Sequence, residues 1–132
     1  MDAYLSREAY HFLLGLNLTS SKPNADGLLI GHKRGHRFFV EKIFATQKGF
    51  YSSLKNYFAL DKHFGGKLIG FFAYGADAKR IKKILLPFAF GQLFLNIHPT
   101  KKKKMTIKSY IIDYKRDFFL SPVDLRLPES EV

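Results

Sequence analysis

From Leu68 to Tyr74 the chain is an almost unbroken apolar run of strand length, the pattern of a strand buried on both faces. Gly75-Ala76-Asp77 follows as a sharp turn, and Asp77 stands where a helix N-cap belongs. Ala78, Ile81, Ile84 and Leu85 then recur at helical spacing, with Lys79, Arg80, Lys82 and Lys83 on the opposite face. Pro87 ends that helix, because the residue before a proline is pushed out of the α region. This strand-turn-helix unit is the element around which the rest of the chain is organised.

Read in order, the remaining segments predict a mixture of helices and strands. Ser6 to Leu18 reads as a helix capped by Ser6, with Glu8 in its first turn and an apolar stripe of Ala9, Phe12, Leu13 and Leu16. A turn-rich connector, Thr19 to Asp26, leads to a short buried strand, Gly27 to Gly31. His32 to Gly35 is a hairpin turn and His36 to Ala45 its return strand, with Glu41 on the solvated face. After a loop from Thr46 to Gly49, Phe50 to Phe64 carries a second helical stripe, closed by Gly65-Gly66 as a glycine C-cap. Beyond the central unit, Gln92 to Ile97 and Thr106 to Lys115 read as strands, separated by the charged loop Thr100 to Met105. Phe118 to Leu127 holds one more short strand broken by Pro122, and Pro128 to Val132 is expected to be a mobile tail. The order predicts an α+β, α/β-like three-layer domain spanning residues 1–132, a mixed sheet flanked by helices, with no internal repeat or linker.

Composition narrows this further. The apolar share is 46% and the chain carries 14 Phe and 7 Tyr, enough to build a core and to argue against disorder. The absence of cysteine removes disulfides, thiolate nucleophiles and cysteine-based zinc sites, and leaves the redox compartment open. The N-terminal stretch lacks the pattern of a signal peptide, and no apolar run reaches the ~20 residues of a membrane span. A cytoplasmic protein is the expectation. The 22 Lys and Arg against 11 Asp and Glu give a net charge of +11, which favours polyanionic partners but also serves solubility alone.

Few residues suggest chemistry. His32 and His36 are four apart, yet the flanking Gly31 and Gly35 put them on a hairpin, so solvated turn histidines are the default. His98, before Pro99, stands at a strand end and reads as a structural side chain; Tyr74 reads as a core or rim aromatic. Asp77 is first of all a cap. The basic face Lys79, Arg80, Lys82 and Lys83, with Lys101, Lys102, Lys103 and Lys104 in the charged loop, is the candidate anion- or nucleic-acid-binding surface.

The strands GLLIG and RFFVEKIF around a basic hairpin, then LIGFFAYGA, QLFLNIHP and SYII, resemble in order the JAMM/MPN metalloprotease domain. The resemblance covers roughly residues 6–125, rests mostly on hydrophobic motifs, and implies the JAMM/MPN, cytidine-deaminase-like architecture. It also implies where family enzymes keep their zinc ligands and their catalytic glutamate. Those positions fall here on Ala73, Gly75, Leu86 and Asn24, with Asp26 the carboxylate nearest the last. Alanine, glycine and leucine side chains offer no lone pair to a metal, and without one no bound water is brought towards neutral pKa. The resemblance therefore implies a pseudoenzyme without cofactor or metal. The expected role is a protein-interaction or scaffold module, pairing with a protein partner or with itself as a dimer. A basic nucleic-acid-binding module is the alternative, and an enzyme of unrecognised chemistry a third reading.

Overall fold

The computed structural model describes residues 1–19, 26–46, 54–99 and 105–128. The elements are β1 (Asp2–Leu5), α1 (Arg7–Thr19), β2 (Asp26–Arg34), β3 (Arg37–Thr46), α2 (Leu54–His63), β4 (Leu68–Tyr74), α3 (Ala78–Ile84), a 3-10 turn at Pro87–Ala89, β5 (Leu93–Pro99), β6 (Met105–Tyr114), β7 (Phe118–Pro122) and β8 (Asp124–Arg126). All eight strands form one sheet in the order β7-β6-β5-β4-β2-β3-β1-β8. Pairing is parallel for β1 with β3 and β8, and for β4 with β5; the other pairs are antiparallel.

The two ends of that order are consecutive in the chain, with only Val123 between β7 and β8. One stretch thus pairs with β6 along its first half and with β1 along its second, and the sheet curls almost into a barrel. Pro122 has no amide hydrogen to give a ladder, which suits a point where pairing changes partner. Ser109 secures the crossing, its hydroxyl donating to the Val123 carbonyl at 2.6 Å while its own carbonyl accepts from the Val123 amide at 3.0 Å.

The architecture corrects the expected one. An α/β-like three-layer sandwich of JAMM/MPN, cytidine-deaminase-like type needs helices stacked over both faces of an open sheet. This chain is mostly sheet, and the sheet turns back on itself around few helices. The physical reason is β1, four residues too short to announce itself, which gives β8 a partner and lets the far edges meet.

Inside the curled sheet, Leu29, Phe38, Val40, Ile69, Phe72, Leu93, Leu95 and Ile97 pack against Ala9 and Leu13 of α1. A second cluster lies on the outside of β2, β4, β5 and β6, where Leu28, Phe71, Ala73, Phe94 and Ile112 meet Ile84 of α3, Ala89, and the partly buried Leu60 of α2 and Phe64 just beyond it. All seven β4 residues are buried, so the central apolar run does serve two cores. Ser6 accepts the Ala9 amide at 3.0 Å, starting α1 as its sequence suggested. Gly65 and Gly66 take φ of 64° and 76° and return their amides to Lys62 and Asp61, ending α2. Strand glycines have a different purpose: a Cβ on Gly70 would stand 2.0 Å from the Leu93 carbonyl oxygen, so its absence lets β4 and β5 approach. No helix among the described residues is long and apolar enough to cross a membrane.

Candidate functional site

Among the described residues, two of the three buried polar ones, Asp26 and Asn96, flank the C-terminal end of β4. Asp77 accepts the Arg80 amide at 2.9 Å, the cap its position predicts, and starts α3. One turn into that helix, Arg80 points back over the strand end rather than outward. Its guanidinium donates to the Tyr74 carbonyl at 2.9 Å and forms an ion pair with Asp26, whose side chain is 3% exposed. Asp26 is held there by register, because it lies opposite Ala73 at the start of β2.

Two further contacts close the site. Asn96 of β5 accepts the Ala76 amide at 2.9 Å and donates to the Ala76 carbonyl at 3.1 Å, so one side-chain amide completes a backbone-like bridge across the turn. Gly75 (φ 59°) sends its amide to the Ile97 carbonyl at 2.7 Å, extending the β4–β5 ladder by one rung. On the inner side, the Tyr74 hydroxyl donates to the Leu13 carbonyl at 2.9 Å, and burial pushes its pKa up to about 12. At ordinary pH the group is therefore a neutral hydrogen-bond donor, far from the poise of a general base.

The positions that the JAMM/MPN resemblance marked are dispersed among other duties. Ala73 is packed in the outer core beside Leu28, Ala76 and Ile84, Gly75 makes the turn, and Leu86 is half-buried ahead of Pro87. Asn24 lies outside the described residues, as do Lys101, Lys102, Lys103 and Lys104. His32 is exposed on β2 and its Nδ1 meets the Glu41 carboxylate at 2.6 Å; His36 is exposed at the hairpin turn, and His98 is half-buried at the end of β5. Among the described residues no group of three or more His, Cys, Asp or Glu could hold a metal ion. Of the basic ridge, Lys79, Lys82 and Lys83 are exposed, but Arg80 leaves it for Asp26. Helical periodicity could not reveal this, since the partner is 54 residues away. Asn96 had a legible signal: a lone amide in the apolar run QLFLNI must find partners.

Aromatic side chains also gather on the surface. Pro87, Phe90, Tyr114 and Phe118 line an open apolar groove, with Phe90 56% and Tyr114 53% exposed and the Tyr114 and Phe118 rings 4.9 Å apart. Elsewhere on the outer face, Tyr4, Phe39 and His32 form a stacked row across β1, β3 and β2.

No family model and no curated protein matches this chain. The chain is similar in structure to protein DSY2949 from Desulfitobacterium hafniense, a structural-genomics target solved in solution, with a TM-score of 0.67 and 19% identity. The likeness covers 97% of this chain and 94% of that one, and it speaks for a shared fold alone.

Proposed function

We propose that this chain is a non-catalytic binding module acting in the cytoplasm as a protein-interaction or scaffold domain. The groove of Pro87, Phe90, Tyr114 and Phe118 carries the reading, because exposed aromatic side chains in one concavity favour a partner that covers them. Its turn, between Tyr114 and Phe118, carries exposed Lys115 and Arg116 with Asp117. That rim suits an apolar segment flanked by acids. A second copy of the chain suits it less, because each carries the same basic rim and a net charge of +11. The end of β4 supports the non-catalytic half of the proposal, since Asp26, Arg80, Asn96 and Tyr74 are engaged in holding the turn and the strand ends together.

A fluorescent Glu-Tyr copolymer, compared with polyglutamate of equal length, tests this. The copolymer should bind more tightly, and the double variant Phe90→Ser/Tyr114→Ser should lose that preference by about tenfold, as for two ring contacts of modest size. Equal binding of both polymers, or an unchanged preference in the double variant, would remove the groove from the account.

A further inference from the structure

The outer face of β8, β1, β3 and β2 carries an arrangement that the groove does not use. Arg126, Tyr4, Phe39 and His32 stand in one cross-strand row, each directly opposite the next in register. Tyr4 and Phe39 stack at 5.1 Å with planes 12° apart, and Phe39 and His32 at 4.9 Å and 19°. The outer cluster reaches this side only at β2, through Leu28 and Ile30, and the inner one takes Ala3, Leu5, Phe38 and Val40 from the opposite faces of β1 and β3. The row spans three interstrand steps, about 14 Å at ~4.8 Å each, which is room for two or three unstacked bases.

Beside the row, β2 runs on as an edge strand against β3, which pairs on its other side with β1 from Arg37 to Val40. The last residue of β2 to pair with β4 is Ile30, after which the hairpin continues through Arg34 to a turn at Gly35 (φ 56°). Arg34 and Arg37 face each other across its final rung with His36 in the turn, all exposed, whereas Lys33 lies on the opposite face with its ammonium 5.0 Å from the Phe38 ring centroid. Like charges placed directly opposite are destabilising in a sheet unless something anionic bridges them. No ion pair within the described residues joins Arg34 or Arg37 to an acid, although Asp2 lies opposite Arg37. The acids of this face are Asp2 and Asp124, towards β8, and Glu41, which engages His32. Positive charge is thus concentrated at the hairpin tip, next to the rings.

We infer that this face binds single-stranded nucleic acid, with phosphates at Arg34 and Arg37 and bases along the Tyr4–Phe39–His32 row. The inference goes beyond the protein-partner reading and does not depend on it, since the two surfaces share no residue. It also moves the anion-binding surface from α3, where Arg80 is committed to Asp26, to the tip of the β2–β3 hairpin.

Fluorescein-labelled oligo(dT) and oligo(U) of twelve nucleotides, titrated with the full chain by anisotropy between about 50 and 150 mM salt, test the inference. Arg34→Gln/Arg37→Gln should weaken binding at least tenfold and reduce the log-log salt slope by about 1.4, two contacts at ~0.7 each. Phe39→Thr, which keeps β-propensity, should weaken binding about tenfold and leave the slope unchanged. Lys79→Gln/Lys82→Gln/Lys83→Gln should stay within about twofold, apart from the general loss of charge. Thermal melts confirm that each variant is folded. No binding by the unaltered chain, an equal loss in the α3 variant, or polyglutamate binding as tightly as the oligonucleotides would overturn it.

Discussion

Arg80 and Asp26 offer the sharpest energetic test, because a pair that closes the β4 end must behave as a unit. Arg80→Met keeps most of the side-chain volume but leaves a carboxylate, 3% exposed, without its guanidinium. Breaking a buried pair from one side costs about 3–5 kcal/mol. The Arg80 side chain is 21% exposed, so the lower end of that range, about 3 kcal/mol, is the expected value, with the bond to the Tyr74 carbonyl lost as well. Asp26→Asn should cost less, about 1–2 kcal/mol, because the guanidinium keeps that carbonyl and some contact with water. The double variant should then cost about 2 kcal/mol less than the sum, since neither charge is left stranded. Urea unfolding of the four proteins at neutral pH measures the cycle, with the denaturant slope unchanged if the native state stays compact. Additivity within about 0.5 kcal/mol would refute the coupling and return Arg80 to the solvated ridge.

Tyr74→Phe removes the hydroxyl that donates to Leu13 and should cost about 1 kcal/mol at pH 7 by urea unfolding. Burial raises the folded pKa to about 12 from an unfolded value of 10, so the neutral hydroxyl's contribution is complete below pH 10 and lost as pH rises towards 12. Across that window the unaltered chain should lose up to ~3 kcal/mol more than the Phe variant; parallel curves would contradict the buried donor. Gly70→Ala should destabilise by about 3 kcal/mol or fail to fold, because its Cβ would meet the Leu93 backbone at 2.0 Å. Gly15→Ala, with nothing within 4 Å of the added Cβ and a place inside α1, should instead stabilise by about 0.5–1 kcal/mol in the same assay.

What could be read from the sequence was whatever local chemistry dictates. The run Leu68–Tyr74, the Asp77 cap, the Ser6 start of α1 and the Gly65-Gly66 stop all depend on residues within a few positions of each other. The curling of the sheet was hidden because it depends on β1 and β8, strands of four and three residues that pair across nearly the whole chain. The first hairpin strand was read too short at the turn: β2 runs to Arg34, which brings His32, Lys33 and Arg34 into the sheet and sets His32 opposite Phe39. Arg80 was placed on a solvated face because helical periodicity sees only its own helix, while its partner arrives on another strand. The Tyr4–Phe39–His32 row was likewise invisible, since its members come from three strands and only register aligns them.

The central claim is that the end of β4 is a structural junction and no hydrolytic metal centre. Zinc content after dialysis, measured on the full chain purified from zinc-supplemented medium, tests it most directly. The account predicts zinc well below one equivalent, and no difference between the unaltered chain and His32→Asn, His36→Asn or His98→Asn. One equivalent retained through dialysis, and lost in any of those variants, would contradict it.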